Sequence, residues 1–368
     1  MAIKAEGIVH GGNLHEAATR YGIPYAQWLD LSTGINPHGY PVPPVPADAW
    51  RRLPDEGDGF ADVAAAYYGA PDARHVLPVA GSQAAIRTLP TLLARGTVGI
   101  APLTYSEYAP SFERAGHRVA TLDIASDTLP PAFTHVVVVN PNNPSADHVG
   151  VARLHAWHAQ LVERGGTLIV DEAFADAMPD VSMASMASVA SVASVASVAS
   201  VASVASEVDR PGLVVLRSPG KFFGLAGVRA GFVLGAPALL AGLRESLGAW
   251  TVSGPARHAV KAAFADVEWQ TSMRAQLASE SKRLNALLNV LGFATRSTPL
   301  FAWTADRRAA ALHEALARRG IWTRLFAASA SVRFGLPSND DEWRRLETGL
   351  SESVRELRTA SGIEERDA

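Results

Sequence analysis

Lys221 lies in Ser218-Pro-Gly-Lys221-Phe-Phe-Gly-Leu-Ala-Gly-Val-Arg229, where an amine could act as a nucleophile. It follows the apolar run Leu213–Leu216 within a turn of small residues, and Phe222, Phe223 and Leu225 come after it. A lone lysine after a strand is most often a solvated charge. With this apolar flank, partial desolvation is expected, and that favours the neutral amine that imine formation needs. Ser218 precedes Lys221 and Arg229 follows it on the same segment. Both could reach a phosphate, the serine by a hydrogen bond and the arginine as a bidentate charge-assisted pair.

Six more stretches carry candidate chemistry. Asp171 closes the apolar run Thr167-Leu-Ile-Val-Asp171, ahead of Glu172-Ala-Phe174. An acid there can cap a helix, or it can keep a cofactor's ring nitrogen protonated so that the ring draws electrons from a carbanion. Asn140-Pro-Asn-Asn143-Pro-Ser145 also follows an apolar run. Its X-Pro units force an extended turn, and its asparagine amides could bond a phenolic oxygen. Gly81-Ser82-Gln83 opens a helix, whose exposed amides suit a phosphate as well as a plain cap. Tyr105, in Thr104-Tyr105-Ser-Glu-Tyr108, could stack on a flat ring or join the core. Arg324 in Trp-Thr-Arg324-Leu-Phe and Arg333 in Ser-Val-Arg333-Phe-Gly suit a carboxylate or a phosphate, or surface ion pairs.

These side chains need elements to position them. Val98–Ala101, His135–Asn140, Thr167–Asp171, Leu213–Arg217 and Gly231–Leu234 read as buried parallel strands. Ser82–Ala94 and Val151–Arg164 read as helices, the latter stopped by Gly165-Gly166. Such alternation predicts an α/β doubly wound, mostly parallel sheet, with ligands at the carboxyl ends of its strands. Beyond Ser246 the pattern changes to helices at Val267–Leu291 and Arg307–Gly320 and strands at Ile321–Leu325 and Ser331–Phe334, a smaller α+β domain. The expected division is an N-terminal arm belonging in part to the small domain (1–45), a large domain (46–245) and a C-terminal small domain (246–368). Residues 182–206 repeat Ser-Met-Ala and then Ser-Val-Ala. A period of three fits neither helix nor strand, so this low-complexity tract is expected to project as a loop.

The composition narrows the classes. The 368 residues are 48% hydrophobic and 19% charged, with a formal net charge of -3 and no cysteine. A core is affordable, disulfides and cysteine-ligated metals are excluded, and no metal site is expected. No basic face speaks for nucleic acid, and no apolar run for a membrane. Residues 1–13 lack the features of a signal peptide, so a cytoplasmic protein is expected.

The order of these motifs is that of fold type I pyridoxal 5′-phosphate enzymes, and over nearly its whole length the chain resembles the class I/II aminotransferase family. The resemblance implies that family's fold, a large domain and a smaller one, usually as a homodimer with sites built from both subunits. It implies Lys221 as the lysine that holds pyridoxal 5′-phosphate as a Schiff base, Asp171 as the partner of the ring nitrogen, Asn143 as the partner of the ring hydroxyl and Tyr105 as the stacking aromatic. Gly81, Ser82, Gln83, Ser218 and Arg229 resemble the phosphate cradle, and Arg333 the clamp on a substrate carboxylate. His10-Gly11-Gly12-Asn13, taken with Leu29-Asp30-Leu-Ser32-Thr-Gly34-Ile-Asn36-Pro37, resembles the branch that decarboxylates L-threonine O-3-phosphate for cobalamin synthesis. The histidinol-phosphate aminotransferase branch typically lacks that opening and is the alternative. A phosphorylated amino acid is thus the expected partner, with His10 and Arg324 on its phosphate and Gly34 and Asn36 beside them. Two departures stand out: Leu53, not tyrosine, precedes Pro54-Asp55, and Phe174 stands where many relatives carry tyrosine.

Overall fold

The computed structural model describes residues 10–178 and 204–360. Most of the tripeptide tract, residues 182–203, lies outside them. Its strands are β1 (Leu29–Asp30), β2 (Val76–Val79), β3 (Thr97–Ile100), β4 (Arg118–Thr121), β5 (Phe133–Val139), β6 (Thr167–Asp171), β7 (Leu213–Arg217), β8 (Gly231–Gly235), β9 (Arg296–Thr298), β10 (Phe301–Ala305), β11 (Ile321–Trp322), β12 (Arg324–Phe326) and β13 (Ser331–Gly335). The chain divides into two compact units.

The larger unit comprises Gly39–Asn143 and Asp147–Arg274. Its seven-stranded sheet has the order β2-β8-β7-β6-β5-β3-β4. Neighbours are parallel except β8, which runs antiparallel to both β2 and β7. Strands β6, β7 and β8 are buried at every position, and strands covered on both faces read as unbroken apolar runs. Ile86, Tyr108, Phe112, Leu240 and Leu243 from three helices join Val137, Ile169, Val214 and Val233 of the sheet in one core. The helix Val151–Val162 packs on β5 and β6 and buries Leu154, Trp157 and Leu161.

Several boundaries differ from the sequence reading. The helix from Ser82 stops at Thr88 and tightens into a 3₁₀ turn, Leu89–Leu92, because Pro90 cannot supply an α-helical N–H. β2, not among the strands read from the sequence, contains Pro78. It is tolerated because β2 is an edge strand paired only with β8. The tract's last residues do not project. Val204 and Ala205 are buried, and the Val204 N–H donates to Glu172 Oε1 at 3.1 Å.

Glu172 belongs to a buried ionic cluster. Arg217, the last residue of β7, donates to Glu172 and to Asp176, and its guanidinium carbon lies 4.4 Å from the centre of the Tyr68 ring.

The smaller unit comprises the described parts of Met1–His38, Pro144–Ala146 and Ala275–Ala368. It holds a four-stranded antiparallel sheet, β12-β13-β10-β9, and a parallel pair, β1 with β11. That pair joins the N-terminal segment to the C-terminal one, and Leu14, Ala17, Trp28 and Ala317 close a core around it. Among the described residues, no helix is long and apolar enough to cross a membrane.

Candidate active site

The larger unit's site follows from strand direction. β3, β5, β6 and β7 are parallel, so Tyr105, Asn143, Asp171, Ser218 and Lys221 all come at or just after carboxyl ends of strands. β2 runs the same way, which brings Gly81, Ser82 and Gln83 to that edge. β8 runs in the opposite sense, so Arg229, two residues before it, falls at the same edge. One cavity there is lined by all nine predicted cofactor residues, together with Val139, Ala173 and Phe174.

Two glycines make the close approach possible. Gly81 has φ +76°, and a β-carbon on it would lie 2.6 Å from Arg229 Nη2. A β-carbon on Gly231 would lie 2.5 Å from the Ser82 nitrogen. Arg229 itself adopts a left-handed φ of 56°, uncommon outside glycine, with Nη1 donating to the Ala226 carbonyl at 3.1 Å. Such strain persists where surrounding structure enforces it, often at functional sites.

The three asparagines of the Asn-Pro turn divide their work. Asn140 bonds both main-chain groups of Val149, accepting at 2.8 Å and donating at 3.1 Å. Asn142 donates to the Leu103 carbonyl at 2.8 Å and accepts from Thr104 Oγ1 at 2.6 Å. These bonds fix the turn, and Asn143 is the one of the three that lines the cavity.

Asp171 accepts the Ala173 N–H at 3.0 Å and the Tyr108 hydroxyl at 2.7 Å. Burial pushes its carboxyl up from the ordinary value, while the Tyr108 and Ala173 hydrogen bonds and the charge of Lys221 work the other way. Tyr105 donates to Gln83 Oε1 at 3.0 Å. Its ionisation is pushed up to about 12, chiefly by burial and then by Glu107 and Asp171, so its ring stays neutral. Lys221, half-buried on the short helix Pro219–Phe222, holds its ammonium 5.6 Å from the centre of the Phe174 ring.

The predicted substrate residues all lie in the smaller unit. Arg324 and Arg333 stand directly opposite each other across β12 and β13. Burial and the nearby Arg324 push Arg333 down to about 10, so it remains a cation at neutral pH. Arg333 Nη2 donates to the Ser32 carbonyl at 2.7 Å, and Ser32 Oγ accepts the Gly12 N–H at 2.7 Å. A β-carbon on Gly11 would sit 2.4 Å from the Ser32 oxygen. The His-Gly-Gly and Asp-Leu-Ser-Thr-Gly motifs therefore pack on each other, with His10 exposed at the start. Asn36 is buried, and its Oδ1 accepts the His38 N–H at 2.8 Å. Gly34 is buried two residues earlier.

Sequence reasoning did not single out Tyr108 as a partner of Asp171, or Arg217 as the centre of a buried cluster. Both roles depend on contacts between strands and helices that spacing alone does not reveal.

The family pattern described as aminotransferase class I and II matches residues 58–346. This chain belongs to the aminotransferase class I and II family. Its curated relatives include a threonine-phosphate decarboxylase of Pseudomonas aeruginosa, 46% identical over 93% of this chain and 96% of the relative. Another of the same name from a Sinorhizobium species is 40% identical over 94% of this chain and 98% of the relative. The fold also superposes on the crystal structure of a histidinol-phosphate aminotransferase from Sinorhizobium meliloti in complex with pyridoxal 5′-phosphate. That match has a TM-score of 0.75 and 17% identity, and covers 95% of this chain and 99% of the other.

Proposed function

We propose that this protein is a pyridoxal 5′-phosphate-dependent decarboxylase that converts L-threonine O-3-phosphate to (R)-1-aminopropan-2-yl phosphate for cobalamin synthesis. The observation that carries the reading is the 46% identity, over 93% of the chain, to a threonine-phosphate decarboxylase. The cavity of the larger unit fits the cofactor. The glycine at position 81 leaves open the space beside Arg229 that a β-carbon would fill. Arg229, Ser218, Ser82 and Gln83 are a donor set suited to a phosphate, Asn143 to a phenolic oxygen, Asp171 to a protonated ring nitrogen and Lys221 to an aldehyde.

When bound, the cofactor supplies an electron sink conjugated to the substrate's Cα. Asp171 holds the ring nitrogen's proton. Tyr105 offers a neutral flat face. Lys221 Nζ delivers the proton that replaces the departing carboxylate at Cα. Arg333 and Arg324 bind anionic groups of the substrate, carboxylate and phosphate respectively, with His10 beside the phosphate and Gly34 and Asn36 shaping the segment. Two guanidinium groups placed directly opposite each other repel, and a substrate with two anionic ends offsets that repulsion. Aminotransferases of the family use the same cofactor residues, so the fate of the carboxylate separates the two chemistries: holoenzyme given L-threonine O-3-phosphate should release one CO2 for each aminopropanol phosphate formed. Active holoenzyme that forms a keto acid and no CO2 sinks the reading.

Arg324→Ala is expected to raise KM for the phosphorylated substrate roughly 10- to 100-fold, the worth of a charge-assisted hydrogen bond. Cofactor affinity should stay within about twofold of wild type. Steady-state kinetics with cofactor titration checks both, and equal losses in the two argue against the assigned role.

A cytoplasmic homodimer is part of the same proposal. Trp50, Leu53 and Trp250 of the larger unit are 68%, 66% and 54% exposed. The Trp250 N–H donates to Glu56 Oε1 at 3.0 Å, which links the two segments that carry them. Exposed apolar side chains grouped in this way favour association. Leu53→Glu combined with Trp250→Glu should shift the protein toward monomer in analytical ultracentrifugation, and an unchanged mass contradicts this face as the interface.

A further inference from the structure

We propose that Tyr108 is a positioning residue for Asp171: its hydroxyl keeps that carboxylate ionised and fixes its plane within the larger unit's cavity. The proposal rests on the reading that Asp171 serves the cofactor's ring nitrogen. Asp171 is 3% exposed and Tyr108 1%. A carboxylate stripped of water stays charged only where donors replace the lost hydration. Here the Tyr108 hydroxyl at 2.7 Å and the Ala173 N–H at 3.0 Å do so, one on each oxygen. Each carboxylate oxygen has two lone pairs, so this arrangement leaves acceptor capacity for a ring N–H while preventing rotation of the carboxylate.

Tyr108 suits the task. Its own ionisation is pushed well above the ordinary value by burial and then by Asp171, so the hydroxyl remains a donor. Its ring begins the helix Tyr108–Arg114 and packs in the core with Ile100, Phe112, Val139 and Ile169, which fixes the position of the oxygen. It is not a lining residue of the cavity. Tyr108 therefore acts through Asp171 and has no contact of its own with the reacting atoms.

Tyr108→Phe keeps the ring and removes the donor. In cofactor-free full-length protein carrying ¹³C-labelled aspartate, the Asp171 carboxyl should then titrate about one to two pH units higher, the worth of a hydrogen bond to a charged group. In the holoenzyme with ¹⁵N-labelled cofactor, the ring nitrogen should move toward the signal of neutral pyridine. kcat should fall roughly tenfold or more, with KM for L-threonine O-3-phosphate within about twofold. Incorporating 3-fluorotyrosine at position 108 retains a hydroxyl, and a stronger donor, so Asp171 should titrate at or below its wild-type midpoint. An Asp171 midpoint unmoved by Tyr108→Phe overturns the proposal, as does a loss of thermal stability as the only effect. Asp171→Asn tests the underlying reading separately: an unchanged ring-nitrogen signal in that variant sinks the cofactor role of Asp171, while the Tyr108–Asp171 coupling is still read in the cofactor-free protein.

Discussion

Lys221→Ala should abolish turnover to within measurement, a loss on the order of 10³-fold or more, while the protein still binds its cofactor. One amine is proposed to carry two duties. Lys221 is the primary amine among the cavity's lining side chains, on the short helix that follows β7 and with its Nζ 5.6 Å from the centre of the Phe174 ring. In the proposed reaction, covalent capture of an aldehyde and return of a proton to Cα both fall to it, and a positioned acid or base alone contributes roughly 10²- to 10⁴-fold. Ser82, Ser218 and Arg229, the proposed phosphate ligands, are kept in this variant, so non-covalent affinity should survive. Lys221→Arg should be nearly as inactive, because a guanidinium is protonated at every accessible pH and is no nucleophile. Borohydride treatment followed by mass spectrometry provides a second readout: the wild-type peptide bearing Lys221 should gain the cofactor's mass and the variants should not. Turnover of Lys221→Ala within tenfold of wild type contradicts the assignment.

Arg217→Leu should give the largest loss of stability among substitutions outside the cavity, about 3–5 kcal/mol. Arg217 donates to both Glu172 and Asp176, and all three side chains are almost completely buried. Removing the cation leaves two carboxylates in the interior with their neutralising charge gone, and that cost exceeds the net worth of the ion pairs themselves. Tyr68 also loses the guanidinium stacked on its ring. Arg217→Lys should fall between leucine and wild type, since one ammonium cannot reproduce a fork that bonds two acids at once. Urea unfolding of cofactor-free protein measures the difference. A change of less than about 1 kcal/mol contradicts this account of the cluster. The effect matters for function because Glu172 directly follows Asp171 and Arg217 directly precedes Ser218. Loss of the cluster should therefore loosen both sides of the cavity.

The sequence reads most clearly where burial is complete. Thr167–Asp171 and Leu213–Arg217 match the structure at both ends, because strands covered on both faces leave no polar interruption. β2 was hidden by Pro78 and β4 by its exposed, polar residues, both consequences of lying at the sheet's edges. In the smaller unit, β9 and β10 were not read as strands, although residues 301–304 form a buried apolar run, and Ile321–Leu325, read as one strand, divides into β11, which pairs with β1, and β12, which pairs with β13. The cavity residues were legible because each closes, follows or, as with Arg229 ahead of the antiparallel β8, shortly precedes an apolar run, and the strand directions bring such positions to one edge. Tyr108 and Arg217 were not. A tyrosine in a helix and an arginine ending a strand have many ordinary explanations, and only the register of β6 against β7 and the packing of the helix bring them to their carboxylates. The His-Gly-Gly motif was legible as a pattern, whereas its packing against Ser32, to which Arg333 also donates, needed the fold.

In the proposed reaction the bond broken is the one between Cα and the carboxylate. L-Threonine O-3-phosphate labelled with ¹³C at the carboxyl carbon, turned over by the holoenzyme in D2O and followed by NMR, tests it most directly. All of the label should leave as ¹³CO2, while the aminopropanol phosphate retains its nitrogen and gains one deuterium at the carbon that lost the carboxylate. Retention of ¹³C in a keto acid, with the nitrogen transferred away, would contradict it.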